Sequence, residues 1–463
     1  MLENPVFQRF LKRSPICVMV RAALENVFAP RKLQALFKQA AQAQYERELL
    51  FSTVVDIMSL VVCRVQPSVH AAYQERRREI AVSVKALYDK LSHVEPGTSR
   101  ALVQHAAREA ATLIQGLPTD RQPLLPGYRL RILDGNHLQG TQHRLGPLRT
   151  TGGGALPGLC LAVLDPDLGL IVDVLPCEEA YAQECRLAEE LWPLAQPRDV
   201  YIDDRQFCTS ALLFGLASRQ AFFVTRQHAG HLRWDVSGER RCEGRTETGQ
   251  VWEQRVTLIA PGTDETLSVR RVTLVLDQPT RDGEHELSVL TNLPRRTASA
   301  RRVAELYRDR WRIETAFQEM TMHLRCELNT LGYPRAALFG FSTAAACFNV
   351  FAVIQAALGA AHGDAVVRED VSHYYLAEEL AGTYRGMMIA LPEDEWSWLG
   401  ELPAGRLSGH LRTWAAAIDL SRYRKHKRGP KQRVQRPEAP GAHFSTARLL
   451  AKTKRTPKKP PPK

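Results

Sequence analysis

The sequence has little of what marks secreted, zinc-bound or membrane-spanning proteins. Its nine cysteines stand singly at 17, 63, 160, 177, 185, 208, 242, 326 and 347, with no CxxC pair among them. An odd count without close spacing argues against a disulfide framework or a zinc site and suits reduced thiols in a cytosol. The N-terminus, MLENPVFQRFLKRSPICVMVRAAL, holds only a five-residue apolar island after an early acid, so no signal peptide is expected. Long apolar runs are equally scarce. Residues 336–361 carry no charge over a length that would span a bilayer, but they are alanine-rich and include Ser342, Thr343, Asn349 and Gln355. With no aromatic belt and no second such segment, this stretch is expected to be a buried helix, and no membrane partner is expected.

What is present is a large apolar inventory and a charge confined to one end. The chain has 463 residues, 44% of them hydrophobic, enough for a large core and two to four structural units. The net charge of +12 is not evenly spread. Residues 421–463 contain fifteen Lys or Arg and one acid, Glu438, so that tail carries +14 and the rest of the chain −2. Such a tail, proline-rich and highly charged, is expected to be disordered alone and to bind a polyanion through counterion release.

Patterning divides the chain further. Residues 1–120 read as helical, with a cluster at Arg76, Arg77 and Arg78 that suits a DNA-end-binding bundle or a brace with its arginines in water; no helix-turn-helix signature decides between them. Residues 121–225 read as α/β. A strand ends at Asp134, where Gly135 and Asn136 are expected to break it. A glycine-rich turn, TTGGGALPG, follows, then a hairpin across DPD, a helix over 178–194, a strand ending at Asp203 and Asp204, a helix over 208–217 and a strand over 221–225. That order is the order of a ribonuclease-H-like sheet. Residues 226–298 alternate at period two and read as a β-rich insertion, whose Arg255, Arg270 and Arg271 suit either a DNA backbone or an exposed sheet edge. Residues 299–362 return to helix, and 363–420 form a helical C-terminal region suited to contact between protomers.

The stretch 303–327, VAELYRDRWRIETAFQEMTMHLRCE, reads as one helix. Val303, Leu306, Ile313 and Phe317, with Trp311 at the margin, make an apolar stripe, while Tyr307, Arg310 and Glu314 lie three and four apart on one polar face. Two strands that deliver aspartates at their C-terminal ends and a helix that delivers a glutamate can gather three carboxylates round a pair of hard cations. Such ions want oxygen ligands and activate water or a 3′-hydroxyl against a phosphodiester.

On these residues the chain resembles a known family. LYRDRWRIETAF is similar to the Tyr, Arg, Glu signature of bacterial insertion-sequence DDE transposases of the YREK family, and ILDGNHL and YIDDRQF resemble that family's two aspartate motifs. The resemblance implies a ribonuclease-H-like core with Asp134, Asp204 and Glu314 as catalytic, metal-binding residues. It favours Asp204 over Asp203, because an arginine, Arg205, follows it. It implies Mg²⁺, two ions with Mn²⁺ as a substitute, and double-stranded DNA as partner, held by a homodimer in the bacterial cytosol. Tyr307 and Arg310 would grip phosphate near the scissile bond. The chain departs from the family at Thr321, where a lysine is expected; His323 and Arg325 lie nearby but off that register. Strand cleavage and 3′-hydroxyl strand transfer are thus expected. Two other functions use the same residues: a DNA-binding derivative that no longer catalyses, and a metal-dependent nuclease of the same fold without strand transfer.

Overall fold

The structure, a computed structural model, describes residues 2–44, 46–139, 145–149, 155–228, 230, 232–280, 283–328, 330–426 and 444–455. Helices α1 (Pro5–Arg13), α2 (Pro15–Val27), α3 (Pro30–Ala40), α4 (Phe51–Val62), α5 (Val69–Glu75), α6 (Val84–His93) and α7 (Pro96–Gln115) lead the chain. Proline opens α1, α2, α3 and α7, at a position whose N–H has no intrahelical partner in any case. Then come strands β1 (Arg129–His137), β2 (Ala155–Leu156), β3 (Leu159–Asp165) and β4 (Leu170–Cys177), helix α8 (Glu184–Ala188), strand β5 (Asp199–Asp203), helix α9 (Ser210–Ser218) and strand β6 (Phe222–Arg226). Strands β7 (Arg233–Val236), β8 (Arg241–Thr246), β9 (Gly249–Ile259), β10 (Thr266–Leu276) and β11 (Glu286–Thr291) follow. Helices α10 (Ala300–Arg308), α11 (Trp311–His323), α12 (Pro334–His362), α13 (Asp364–Asp370), α14 (His373–Ala390) and α15 (Ala404–Ala416) come next, and strand β12 (Phe444–Ser445) and helix α16 (Thr446–Arg455) close the described chain.

One mixed sheet runs β4-β3-β1-β5-β6-β11-β10-β9-β7, with β8 on β9. Strands β4, β3 and β1 are antiparallel neighbours, and β5 and β6 run parallel to β1. This α/β arrangement is compatible with a ribonuclease-H-like core. The strands of the insertion do not stand apart: β11 pairs with β6 and carries the sheet onward through β10 and β9. One face of the sheet meets α7, α10, α11 and α12 in the main apolar core, which includes Leu130, Ile132, Val200, Ile202 and Ile313. The other buries Leu133, Tyr201, Phe223 and the α9 leucines.

Helix α12 supports the sheet from behind. It is the one helix among the described residues long and apolar enough to cross a membrane, yet 94% of its most apolar window lies inside the protein. Its buried Asn349 side chain pairs with both the N–H and the C=O of Ile171 on β4, each at 2.8 Å. A buried amide so fully satisfied fixes the register of helix on strand, because an unsatisfied alternative would be costly. From α7, Arg100 and Gln104 bind Asp173 on the same strand at 2.7 to 3.0 Å.

Several local expectations change. The helix read over 303–327 is two, α10 and α11, separated at Asp309 and Arg310. There the N–H groups of Asp309, Arg310, Arg312 and Ile313 bond to carbonyls three residues back, and the Asp309 carboxylate accepts from Arg312 Nε at 3.0 Å. A short acid competing for local hydrogen bonds tightens the turn and interrupts the α ladder. Trp311 is 58% exposed, not at the margin of the buried stripe. The helix read over 178–194 shrinks to α8 and a 3-10 turn, Trp192–Leu194. Its first residues are held instead in a turn, where Glu179 accepts from the N–H of Tyr181 through its side chain and from that of Ala182 through its carbonyl. Gly135 and Asn136 do not end the first strand, since β1 continues to His137.

The glycine-rich turn at 150–154, part of the PTRDGE turn and residues 427–443 and 456–463 of the basic tail lie outside the described residues. Within the tail, residues 444–455 are not without structure: Phe444 and Ser445 pair in parallel with Ala155 and Leu156, and Arg448 of α16 binds Glu179 at 2.7 Å.

Candidate active site

Strand register decides which acids share a face. Ile132 of β1 stands beside Ile202 of β5, and the two strands are parallel. Side chains alternate along a strand, so Asp134 follows Ile132 onto its face. Asp204, extended at φ −83° and ψ 173°, continues the same row from Ile202. That face meets α10 and α11. Asp203 turns to the opposite face, beside its cross-strand neighbour Thr225. It is fully buried, and no hydrogen bond of good geometry reaches either carboxylate oxygen, although the Thr225 hydroxyl stands near enough to pull its pKa down. Burial, and secondarily the charge on Asp204, pushes its carboxyl well above the usual range.

Arg310 links strand to helix. It is 6% exposed; its Nη2 donates to Glu314 Oε1 at 2.8 Å and its Nη1 reaches Asp134 Oδ2 at 3.5 Å. The guanidinium lies 5.0 Å from the centre of the Trp311 ring, and its Nε has no hydrogen-bond partner. Burial alone would lower its pKa, but Tyr307, Asp134, Asp204 and Glu314 together raise it. Tyr307 is buried next to it, its hydroxyl pushed up first by burial and further by Asp204. Four of the five residues singled out in the sequence thus act on the guanidinium of the fifth, Arg310, with Asp134 and Glu314 in contact with it and Tyr307 and Asp204 acting through charge, although the turn at Asp309 and Arg310 interrupts the helix expected to carry three of the five.

Asp134 is the most perturbed accessible acid of the group. Its carboxyl is raised to about 7, chiefly by burial and further by Glu184 and Glu314, against the downward pull of Arg310 and the Gly135 N–H. Negative charge here exceeds what Arg310 offsets. Among the described residues, however, no group of three or more His, Cys, Asp or Glu side chains stands close enough to hold a metal ion. The donor set, all carboxylate oxygen, is still one that fits a hard divalent cation, and the uncompensated charge is what such a cation would neutralise.

The departure at Thr321 has a clear local outcome. Its hydroxyl donates to the Phe317 carbonyl at 2.9 Å. Arg325 does not stand in for a lysine, because its Nη1 is bound to the carbonyls of Gln66 and Pro67 at 3.0 and 2.8 Å. Other arginines noted in the sequence also have structural work. Arg76 is ion-paired with Asp56 and Glu393. Arg270 is held by Glu253 and the carbonyls of Leu293 and Ala298. Arg271 donates to Gln227 at 2.7 Å and lies over Trp234, whereas Arg255 is exposed.

Glu184 is the neighbour that sequence patterning passes over. It opens α8, and its charge acts on Asp134 and Asp204. Nothing in QECRLAEE distinguishes it from the surrounding glutamates; only the glycine after Asp134 hints at a close approach from elsewhere.

Comparison with known proteins agrees with this setting. Residues 125–350 match the family model of the transposase DDE domain. The match supports a DDE transposase family for the chain, and a domain of that kind implies phosphoryl transfer on a DNA substrate. Among curated proteins, none matches the chain.

Proposed function

We propose that the protein is a DNA transposase of the YREK type that cleaves transposon ends and joins the freed 3′-hydroxyl to target DNA, with Asp134, Asp204 and Glu314 as its divalent-ion ligands on a ribonuclease-H-like core. The observation that carries this is the shared row of Asp134 and Asp204 on the face where Arg310 joins Asp134 to Glu314. Mg²⁺, or Mn²⁺ in its place, would supply water activation and stabilisation of the leaving oxygen. Asp134 and Asp204 hold that charge from the sheet and Glu314 from the helix. Asp134 does so in its ionised form, which its raised pKa reserves for neutral and higher pH. Arg310, released from the two acids, donates to a phosphate oxygen, with Tyr307 beside it. The basic tail adds affinity that does not depend on sequence, and a homodimer holds two ends together.

Glu314→Gln is expected to abolish Mg²⁺-dependent nicking of double-stranded DNA while leaving binding in gel-shift assays largely intact. Retained nicking in that variant defeats the assignment. Thr321, with no free cation at its register, specifically favours a second function, a nuclease or a non-catalytic DNA-binding protein. A joining assay with precut ends separates the nuclease, and a metal titration the inactive protein.

A further inference from the structure

We propose that Arg226 is a second phosphate-binding residue of the cleft, beside Tyr307 as Arg310 is, and that Glu284 occupies its guanidinium until a DNA phosphate takes that place. This role rests on the function proposed above, since it needs DNA at the acids. Strand register puts Arg226 on the face in question. Val224 of β6 stands beside Ile202 of β5, and Thr225 beside Asp203, so the next residues, Arg226 and Asp204, follow Val224 and Ile202 onto one face as neighbours. The partner of Arg226 on β11 is Val289, which joins Ile202, Val224 and Tyr307 in the core on that face. At the usual strand spacing the Arg226 backbone lies about 5 Å from that of Asp204. The Tyr307 hydroxyl, pushed up chiefly by burial, is pulled down by both Arg310 and Arg226, so two guanidinia act at one hydroxyl.

The guanidinium is held in a way that leaves it available. Its side chain is 18% exposed, and its one hydrogen-bond and ion-pair partner among the described residues is the Glu284 carboxylate, bound to Nη2. Glu284 is itself 34% exposed, on the turn between β10 and β11, and Arg205 Nη1 lies 3.9 Å from its other oxygen. That turn closes without Arg226: the Thr280 N–H donates to the Glu284 carbonyl at 2.9 Å, and the Glu284 N–H donates to the Thr280 hydroxyl at 3.1 Å. A phosphate oxygen accepts from a guanidinium in the same geometry as a carboxylate oxygen, so Glu284 is an exchangeable occupant. Helix α11 supplies no substitute. Arg312 is bound to Asp309 and to the Pro166 carbonyl, and Thr321 turns its hydroxyl to the Phe317 carbonyl.

The test is a gel-shift titration of the full-length protein with two precut transposon-end duplexes, thermal unfolding being recorded alongside. One duplex is native; in the other the phosphates nearest the 3′-hydroxyl are uncharged methylphosphonates. Arg226→Ala is expected to bind the native duplex about tenfold more weakly than the wild type and to lose about one from the slope of log affinity against log salt. It should bind the methylphosphonate duplex as the wild type does. Glu284→Gln, which keeps the turn's hydrogen bonds to Thr280, should bind the native duplex severalfold tighter, and only while Arg226 is present. Equal weakening of both duplexes in a stably folded Arg226→Ala, or of neither, overturns the inference. If that variant melts lower, Glu284→Gln decides, and unchanged affinity there overturns it. If Arg310→Ala weakens binding while Arg226→Ala does not, only Arg226 is misplaced; if neither does, the cleft holds no phosphate and the proposed function fails as well.

Discussion

Arg310 Nη1 reaches Asp134 Oδ2 at 3.5 Å although 176 positions separate the two residues. The same guanidinium donates to Glu314 at 2.8 Å, so α11 and the residue that caps it bring to the sheet both an acid and the cation that restrains it. Arg310 is thus a resident counter-ion for carboxylates whose proposed task is to hold metal.

Removing that counter-ion should be felt by Asp134 first. Arg310→Ala is expected to push the Asp134 carboxyl above its present value of about 7, as read by NMR titration of the aspartate carboxyl. It should also destabilise the fold by about 1–3 kcal/mol, because two partly buried acids lose their hydrogen-bond partner. Arg310→Lys should restore much of the titration shift but not the two-pronged geometry. An unchanged Asp134 titration in the alanine variant would show that the pairing is incidental.

Asp134 also sets a pH dependence whose sign can be worked out. Its folded pKa, about 7, lies above the ordinary value of 3.8, so between those values the folded state binds the extra proton. Stability from this group is therefore fully present below about pH 4 and is lost as pH rises through 7, a change on the order of 4 kcal/mol. In EDTA at pH 8, Asp134→Asn should melt higher than the wild type, and at pH 4 the difference should vanish. A variant that melts lower at pH 8 would mean that the acid is satisfied as it stands.

The neighbouring aspartates should behave differently. Asp203 is buried on the far face, where burial pushes its carboxyl well above the usual range, so Asp203→Asn is expected to retain nicking within about tenfold of the wild type, whereas Asp204→Asn abolishes it. The reverse result would put the working acid on the other face of the sheet.

How much of this could be read beforehand follows from what periodicity encodes. Alternation along 128–134 and the three- and four-residue steps of Tyr307, Arg310 and Glu314 carry facing information, so both ends of the Arg310 bridge were legible. The choice between Asp203 and Asp204 rested on resemblance, because only the pairing of Ile132 with Ile202 states which face each occupies. The break at Asp309 and Arg310 was hidden by good helix formers on both sides. In 178–194 a helical composition was overridden by the local turn at Glu179. Glu184 was illegible for another reason: its partner is the space left by a glycine on β1, and no spacing rule connects a side chain to an absent one.

The central claim is that acids from two strands and a helix share one divalent ion centre, and ferrous-ion-directed cleavage of the protein tests it most directly. With Fe²⁺ in place of Mg²⁺, ascorbate and peroxide should cut the backbone near residues 134, 204 and 314, and Asp134→Asn should suppress all three cuts together. Cuts elsewhere, or three that disappear independently in separate variants, would contradict a common centre.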